Sequence, residues 1–506
     1  MSGYVIGRAT VDRVEVLLRR DSGIRLGDFV VLEDGDLRAM GIVDHMESGH
    51  RIASEGILSQ EAVEQLAKER EMGAFSIAMI RVLGVIKDGK LGGLPKRPIS
   101  VLSEVRKARP AEISSILQKG HLEIGHVLSD PSIKVKIDVN RMVARHLAIL
   151  SMTGGGKSNT VALLASELGK MGGTVVILDF HNEYVVTGNR FGDAPAFVID
   201  PKLNPRQIEP EKLIEIIGLN PNATNQRTLF HQIYEYLKSR DKPLLQIMSK
   251  ILEDMAKGEG FPEELNEVYD RFKGKKDSIY GLKNRIDYFL KRHKSILNDR
   301  ASKVIDMIQE EMVNIVRVGL LPDYVIDVFV GTLLSDILLA RKAYFLTKED
   351  HHTSSDRVLK KPIFVILEEA HILVDSKRKT MTKDAVIRIA REGRKFGVGL
   401  ALVSQRPSSM DQDVLSQMNS IIALRMISKK DKNAVAEASD QVDEAMVESL
   451  SSLNPGEALL IGPFVPFPFF AKIRKVEGLL SSSDPDIVGE WDGREEEGVK
   501  DDSILL

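Results

Sequence analysis

The 506-residue sequence contains no cysteine. That absence excludes disulfide bonds, thiolate metal ligands and a cysteine nucleophile. Uncharged apolar runs are also short, and none approaches the roughly 20 residues that a membrane-spanning helix needs. The first residues, Met1 to Val5, do not have the pattern of a signal peptide. We therefore expect a cytoplasmic protein without a membrane segment.

The sequence has little excess of charge of either sign. Its 70 lysines and arginines nearly balance 73 aspartates and glutamates, which leaves a formal net charge of −3. A nucleic-acid-binding protein with this balance must concentrate its basic groups locally. An apolar content of 43% with 28% charged residues is typical of a globular chain. The length is too great for one core and predicts roughly two to four domains.

The most informative segment is residues 151–158, with the sequence SMTGGGKS. It follows the apolar run 147–150 and precedes a helical pattern of apolar residues over 161–168. The order strand, glycine turn, helix is the context of a phosphate-binding loop. One departure from the usual pattern is Ser151, which stands where the first glycine is expected.

Each residue type in this loop suits phosphate chemistry. Successive glycines let backbone N–H groups converge on a phosphate without Cβ clashes, and the N-terminus of the following helix adds its positive dipole end. Lys157 is expected to reach the β- and γ-phosphates, and the Ser158 hydroxyl to bind Mg²⁺. The three glycines are Gly154, Gly155 and Gly156.

A pair of carboxylates follows a second apolar run, 362–367. The first, Glu368, can hold Mg²⁺ through water, and the second, Glu369, can polarise an attacking water as general base. Aspartate is usual at the first position, but the longer glutamate side chain still reaches a metal through a water molecule.

A third apolar run, 398–403, ends in Ser404-Gln405-Arg406-Pro407. The amide of Gln405 can sense a γ-phosphate or orient water. Before this run, residues 387–395 form a basic helix end, and one of its arginines can act on a neighbouring subunit's ATP. From spacing alone, a solvated helix face paired with Glu392 is the preferred interpretation of these arginines.

The chain divides by pattern into an α/β core and additional parts. Short strands with Gly/Asp turns near the N-terminus predict a small β-barrel, and helical periodicity predicts an insertion within the core. The acidic tail is expected to be extended or disordered. The predicted boundaries are 1–95 for the barrel, 96–136 for a connector, 137–204 and 326–476 for the two parts of the core, 205–325 for the helical insertion and 477–506 for the tail.

Taken together, these motifs resemble the HerA family of hexameric DNA translocases, within the FtsK/HerA group of RecA-like P-loop ATPases. The resemblance spans most of the chain. The segments that carry it are 140–146 (NRMVARH), the glycine loop, 179–184 (DFHNEY), 367–371 (LEEAH), 391–397 (REGRKFG), 404–407 (SQRP) and 453–458 (LNPGEA).

The resemblance implies a RecA-like core in a homohexameric ring around duplex DNA, with ATP bound between subunits. It implies that Glu369 is the catalytic carboxylate and Gln405 the sensor. It also implies that Arg394 acts in trans on the ATP of a neighbouring subunit, whereas spacing alone favoured a solvated helix face. We interpret His181 and His371 as packing and hydrogen-bonding residues, because no third metal ligand is evident. The expected nucleotide contacts are Gly154, Gly155, Gly156, Lys157, Ser158, Asn159, Arg145, Asp179 and Glu368, with Ser158 and Glu368 serving Mg²⁺.

The implied function is an ATP-driven helicase and translocase for double-stranded DNA. The resemblance also implies that it works with a NurA-like nuclease, and with other double-strand-break repair nuclease complexes, in DNA end resection. An alternative is a conjugation or secretion motor that moves protein or single-stranded DNA, against which the barrel and the lack of a membrane span argue. A small-molecule phosphotransferase and a non-catalytic ATP-dependent scaffold are further alternatives.

The DNA-contacting residues are expected in a basic stretch after the Glu-Glu strand, on a loop that faces the channel in similar rings. Phosphate contacts without base readout suit a motor that ignores sequence. The candidates are Lys377, Arg378, Lys379 and Lys383.

Overall fold

The computed structural model describes residues 1–50, 74–87, 89–240, 242–347, 357–481 and residue 491. Two sheets organise these residues, one of seven strands and one of twelve. Most of the predicted acidic tail, 482–490 and 492–506, lies outside the described residues. No helix in the described ranges combines the length and apolar character needed to cross a bilayer.

The N-terminal sheet closes into a barrel of six strands in the order β2-β1-β7-β3-β4-β5, because β2 also pairs with β5. In β2 the side chains of Val14, Val16 and Leu18 are buried and alternate with more exposed ones, as the sequence pattern predicts. The strands are β1 (Gly3–Ile6), β2 (Arg13–Leu18), β3 (Phe29–Asp34), β4 (Leu37–His50), β5 (Ala74–Lys87), β6 (Lys90–Leu91) and β7 (Glu104–Lys107).

The predicted connector, 96–136, contributes to both sheets. Its strand β7 completes the barrel, so the barrel extends beyond residue 95. Two further strands, β8 (Leu122–Val127) and β9 (Lys134–Ile137), form one edge of the large sheet. Strand β7 reads Glu-Val-Arg-Lys, and so short and polar a run carries no strand signal of its own.

The large sheet has seven parallel strands at its centre, in the order β13-β14-β11-β15-β16-β10-β17. Antiparallel strands extend it on both sides. Three of these strands, β10, β11 and β15, are largely apolar and are buried throughout, as expected of parallel strands with helices on both faces. The remaining strands are β10 (Leu147–Leu150), β11 (Thr174–Leu178), β12 (Arg190–Phe191), β13 (Ala194–Ile199), β14 (Val313–Val316), β15 (Ile363–Leu367), β16 (Val398–Ser404), β17 (Ser420–Leu424), β18 (Glu457–Ile461) and β19 (Phe469–Ile473).

The helices follow the predicted division of the chain. The described helices of at least four residues are α1 (Pro110–Leu117), α2 (Val139–Arg145), α3 (Lys157–Lys170), α4 (Pro210–Ile217), α5 (Thr224–Leu237), α6 (Leu244–Lys257), α7 (Asn266–Phe272), α8 (Lys276–His293), α9 (Val304–Met307), α10 (Asp323–Thr347), α11 (Ala370–Leu373), α12 (Met381–Phe396), α13 (Gln412–Gln417), α14 (Lys429–Ala438) and α15 (Glu444–Ser449).

The helical insertion comprises α4 to α9 between β13 and β14. Its predicted apolar stripes are buried, for example Met248 and Ile251 in α6 and Leu282 and Ile286 in α8. The prediction that 205–325 is helical throughout is wrong at β14, which is a central strand of the large sheet. Its sequence, Val-Asn-Ile-Val, is too short to be assigned to helix or strand by periodicity. The α/β core with an N-terminal barrel and a helical insertion is otherwise confirmed.

Candidate nucleotide-hydrolysis site

The glycine loop connects β10 to α3 at the edge where the central parallel strands end. Gly156 precedes α3 with a φ of 106°, a left-handed conformation that favours glycine. A Cβ atom added to Gly155 would lie 2.0 Å from the Oγ atom of Ser151. The Ser151 hydroxyl donates instead to the Met152 carbonyl at 2.9 Å. The loop therefore accommodates a serine at the first glycine position, because residue 155 is a glycine and leaves space for the hydroxyl.

Lys157 is the first residue of α3 and faces the acidic side chains at this edge. Burial lowers the pKa of Lys157, and the nearby carboxylates of Glu369, Glu183 and Glu368 act in the opposite direction. Ser158 follows it in the same first turn and is half-buried. The backbone N–H groups of this turn and the ammonium group of Lys157 face the same space, an arrangement that suits phosphate binding.

Glu368 directly follows β15 and is only 5% exposed. The Tyr184 hydroxyl donates to Oε1 of Glu368, while Oε2 is buried without a hydrogen-bond partner. Burial raises the pKa of Glu368 to about 8. Within the described parts of the chain, no group of three or more His, Asp or Glu could hold a metal alone. A single unpartnered carboxylate oxygen suits a cation whose other ligands are water and phosphate.

Glu369 has a φ of 43°, which is strained for a non-glycine residue and often accompanies function. Its Oε1 lies 3.3 Å from Nε2 of His181, and Nε2 of Gln405 donates to its Oε2 at 3.4 Å. Nδ1 of His371 is 3.2 Å from Oε2, but it is not aligned as a hydrogen bond. The predicted base and the predicted sensor are therefore adjacent.

The phosphate loop is connected to this pair through Thr153, which donates from Oγ1 to Oε1 of Gln405 at 2.7 Å. Thr153 is not among the predicted site residues. Its position inside the phosphate loop was the sequence feature that could have indicated a role. Its proximity to Gln405 results from the pairing of β10 with β16.

Asp179 organises the loop that follows β11. Its Oδ1 atom accepts the backbone N–H groups of His181 at 3.1 Å and Glu183 at 3.3 Å, and Oδ2 accepts that of Tyr184 at 3.4 Å. The carboxylate is fully buried. The structure thus gives Asp179 a loop-shaping task beneath the site, and a direct nucleotide contact stays a prediction.

Asn159 is also occupied by the protein itself. Its Nδ2 donates to the Arg474 carbonyl at 3.0 Å, and its Oδ1 accepts the Val476 N–H at 2.9 Å. The side chain fastens the segment after β19 to the first turn of α3. The side chain of Asn159 is therefore engaged by the protein, and its nucleotide contact stays a prediction.

Arg394 and Arg145 do not lie near the phosphate loop of their own chain. Arg394 is exposed near the end of α12 and lines a cavity with Thr174 and Ile363, the first residues of β11 and β15. Arg145 ends α2, just before β10 begins. The phosphate loop follows the other end of β10, and a four-residue strand spans about 13 Å. Both arginines therefore lie at the opposite edge of the sheet.

The predicted DNA-contacting residues separate into two groups. Lys377, Arg378 and Lys379 are exposed, although the Arg378 guanidinium donates to the Ile372 carbonyl at 2.6 Å. Lys383 points inward, where it forms an ion pair of 2.7 Å with Asp411 and donates to the Asp375 carbonyl at 3.1 Å. Lys383 therefore supports the loop, and the other three form its surface.

Two family models match the chain, the central domain of helicase HerA over residues 122–337 and the HerA-like C-terminal domain over 355–462. The DNA double-strand break repair helicase HerA of Sulfurisphaera tokodaii is 35% identical over 501 residues, which cover 98% of this chain and 97% of that protein. The chain belongs to the HerA family. Its HerA relative from Pyrococcus furiosus is 30% identical, over 94% of this chain and 92% of that protein.

Solved structures show weaker likeness to this HerA-family chain. VirB4 of Thermoanaerobacter pseudethanolicus has 15% identity and a TM-score of 0.49, and the match covers 72% of this chain and 98% of VirB4. The bacterial conjugative coupling protein TrwB has 13% identity and a TM-score of 0.47, with 75% and 94% covered. The family resemblance predicted from the motifs is confirmed by the sequence relatives.

Proposed function

We propose that this HerA-family chain is an ATP-driven helicase and translocase for double-stranded DNA that acts in double-strand break repair. The observation that carries the proposal is the hydrogen-bonded series Thr153, Gln405 and Glu369 beside Lys157. It connects a phosphate-binding loop to a carboxylate that can activate water. The relatives named as DNA double-strand break repair helicases cover nearly the whole chain.

Each residue has a task in hydrolysis. Lys157 and the N–H groups of the glycine loop hold the phosphates of ATP, and Gln405 orients water near the γ-phosphate. Glu369 accepts the proton of that water. The Ser158 hydroxyl and, through water, the unpartnered oxygen of Glu368 would hold Mg²⁺. When bound, Mg²⁺ would neutralise charge that develops on the phosphate oxygens.

The site requires a second subunit for its arginine. Arg394 and Arg145 lie at the sheet edge away from their own phosphate loop, so they reach ATP only from a neighbouring chain. This arrangement supports a heterologous interface, which closes into a ring, and we propose a homohexamer. Both arginines would approach the phosphates that the adjacent subunit binds.

DNA and protein partners complete the proposal. The surface of Lys377, Arg378 and Lys379 contacts the phosphates of duplex DNA, while Lys383 fixes the loop that carries them. A NurA-like nuclease and related double-strand-break nuclease complexes act with the ring on DNA ends in the cytoplasm. We keep the predicted domain boundaries in this proposal, except that the barrel extends to the end of β7.

The test is the ATPase rate of the full chain with and without linear duplex DNA at one salt concentration, together with the native mass of the assembly. We expect stimulation by duplex DNA and the mass of six subunits. A rate that responds to unfolded polypeptide or single-stranded DNA, but not to duplex, would support the conjugation or secretion alternative. Glu369→Gln should bind ATP and fail to hydrolyse it.

A further inference from the structure

The Glu369 carboxylate has a contact that the proposed function does not explain. His181 lies 3.3 Å away through Nε2, on the Oε1 side of the carboxylate. Gln405 lies on the Oε2 side, and Gln405 in turn is bonded to the phosphate loop. Oε2 is therefore the oxygen on the side of the nucleotide, and Oε1 is the oxygen that His181 holds.

His181 is presented from a loop that is fixed at several points. Its own N–H and that of Glu183 donate to Asp179. The segment after β19 pairs with the other end of the loop, where Val185 donates to the Leu479 carbonyl at 3.0 Å and Ser481 donates to the Glu183 carbonyl at 2.8 Å. The backbone that carries His181 is therefore held in place by the protein before substrate arrives.

A glutamate that serves as general base must keep one oxygen directed at the water. The side chain has several rotatable bonds, and ordering it has an entropy cost that a bound donor reduces. Since a carboxylate only accepts hydrogen bonds, Nε2 of His181 is the donor in this contact. The His371 contact lacks hydrogen-bond alignment, so it cannot provide the same directional restraint.

We propose that His181 is a positioning residue for ATP hydrolysis, which holds Oε1 of Glu369 so that Oε2 receives the proton of the attacking water. As that proton moves, the water oxygen bonds to the γ-phosphorus and the bond from this phosphorus to the ADP oxygen breaks. The inference rests on the proposed ATPase function. It adds a residue that touches neither the phosphates nor the water.

The experiment measures kcat and KM for ATP in the full-length protein with duplex DNA. The variants are His181→Ala, which removes the donor, and His181→Gln, whose amide nitrogen can replace Nε2. The control is His231→Ala, because Nε2 of His231 also lies close to a carboxylate, 3.2 Å from Oε1 of Glu211, but in the helical insertion. His181 has a side chain that is 54% exposed, so added imidazole can enter the space left by the alanine.

We expect His181→Ala to lower kcat about tenfold with KM nearly unchanged, since its contact serves the base rather than ATP binding. His181→Gln should recover most of the rate, imidazole should partly rescue His181→Ala, and His231→Ala should match wild type. Any residual hydrolysis by Glu369→Gln should stay the same when His181→Ala is added, because the base that His181 positions is absent.

If wild type hydrolyses ATP and Glu369→Gln does not, any of three results would overturn this inference and leave the proposed function standing. They are an unchanged kcat for His181→Ala, equal losses for the alanine and glutamine variants without imidazole rescue, and a rise in KM without a fall in kcat. If wild type failed to hydrolyse ATP, or Glu369→Gln hydrolysed it normally, the proposed function or its base would fail, and this inference with it.

Discussion

Thr153 in the phosphate loop donates a hydrogen bond of 2.7 Å to Oε1 of Gln405 at the end of the neighbouring strand. The same amide donates from Nε2 to Glu369. One side chain therefore contacts both the proposed phosphate-binding loop and the carboxylate that we propose as the base. A shift of the loop on phosphate binding would be transmitted to the base through this amide.

We expect Thr153→Val to reduce kcat several-fold with a smaller effect on ATP affinity, because the methyl group that replaces the hydroxyl cannot orient Gln405. Thr153→Ser is the matched control, since it retains the hydroxyl and should stay near the wild-type rate. Steady-state kinetics with duplex DNA would measure both. Equal rates for the valine and serine variants would show that this bond has no part in hydrolysis.

The exposed basic loop predicts a separation of DNA binding from nucleotide binding. Reversing both Lys377 and Lys379 to glutamate should weaken duplex binding by about tenfold or more and reduce its dependence on salt, because phosphate contacts release counterions. ATP affinity should not change. Fluorescence anisotropy of labelled duplex across a salt series gives both the affinity and the slope.

Lys383→Met is the comparison for that experiment. It should lower the melting temperature, because it removes the ion pair with Asp411 and the bond to the Asp375 carbonyl. Within the described ranges of the chain, the Asp411 carboxylate would then keep only the backbone N–H donors of Asp413 and Val414. Duplex affinity should change less than in the double variant. If only Lys383→Met weakened DNA binding, Lys383 rather than the exposed lysines would be the contact.

The buried position of His146 predicts that the folded protein loses stability in mild acid. Its Nδ1 accepts the Leu400 N–H at 3.2 Å, and burial lowers the pKa of His146 from its ordinary 6.5 to about 4. A depressed pKa contributes stability above pH 6.5 that is lost as the pH falls through about 4. This group alone should lower the free energy of unfolding by at most about 3 kcal/mol across that window.

His146→Asn separates this effect from other titrations. Asparagine keeps an acceptor for the Leu400 N–H and does not titrate, and the backbone at this position, with φ of 62° and ψ of 160°, is strained for histidine and asparagine alike. Denaturant unfolding between pH 4 and 8 should show a shallower acid loss for the variant than for wild type. Parallel curves for the two proteins would mean that His146 does not cause the acid loss.

The sequence predicts the strand ends of the site well because parallel buried strands read as continuous apolar runs. Glu369, Gln405 and the glycine loop each follow such a run, and the structure brings them together at one sheet edge. Strand β14 was not predictable, because a four-residue segment, Val-Asn-Ile-Val, after a long helical region is too short to show a period. Its pairing with β11 and β13 is fixed by tertiary contacts.

The partners of individual side chains could not be predicted from the sequence either. Asn159 and Lys383 carry the residue types of nucleotide and DNA contacts, yet the Arg474 carbonyl engages Asn159 and the Asp411 carboxylate engages Lys383. Tyr184 stood in a motif without a role until the fold brought its hydroxyl to Glu368. Such contacts join residues far apart in the chain, where spacing gives no information.

The central claim is that each hydrolysis site is shared between subunits, and mixing two inactive variants tests it most directly. Arg394→Ala and Glu369→Gln would each be purified, confirmed inactive, combined in equal amounts under conditions that exchange subunits, and assayed for ATP hydrolysis with duplex DNA. In randomly mixed rings about one interface in four pairs an intact Glu369 with a neighbour's intact Arg394. We predict that mixing restores up to about a quarter of wild-type activity on that count, whereas exchange without any recovered activity would contradict the shared site.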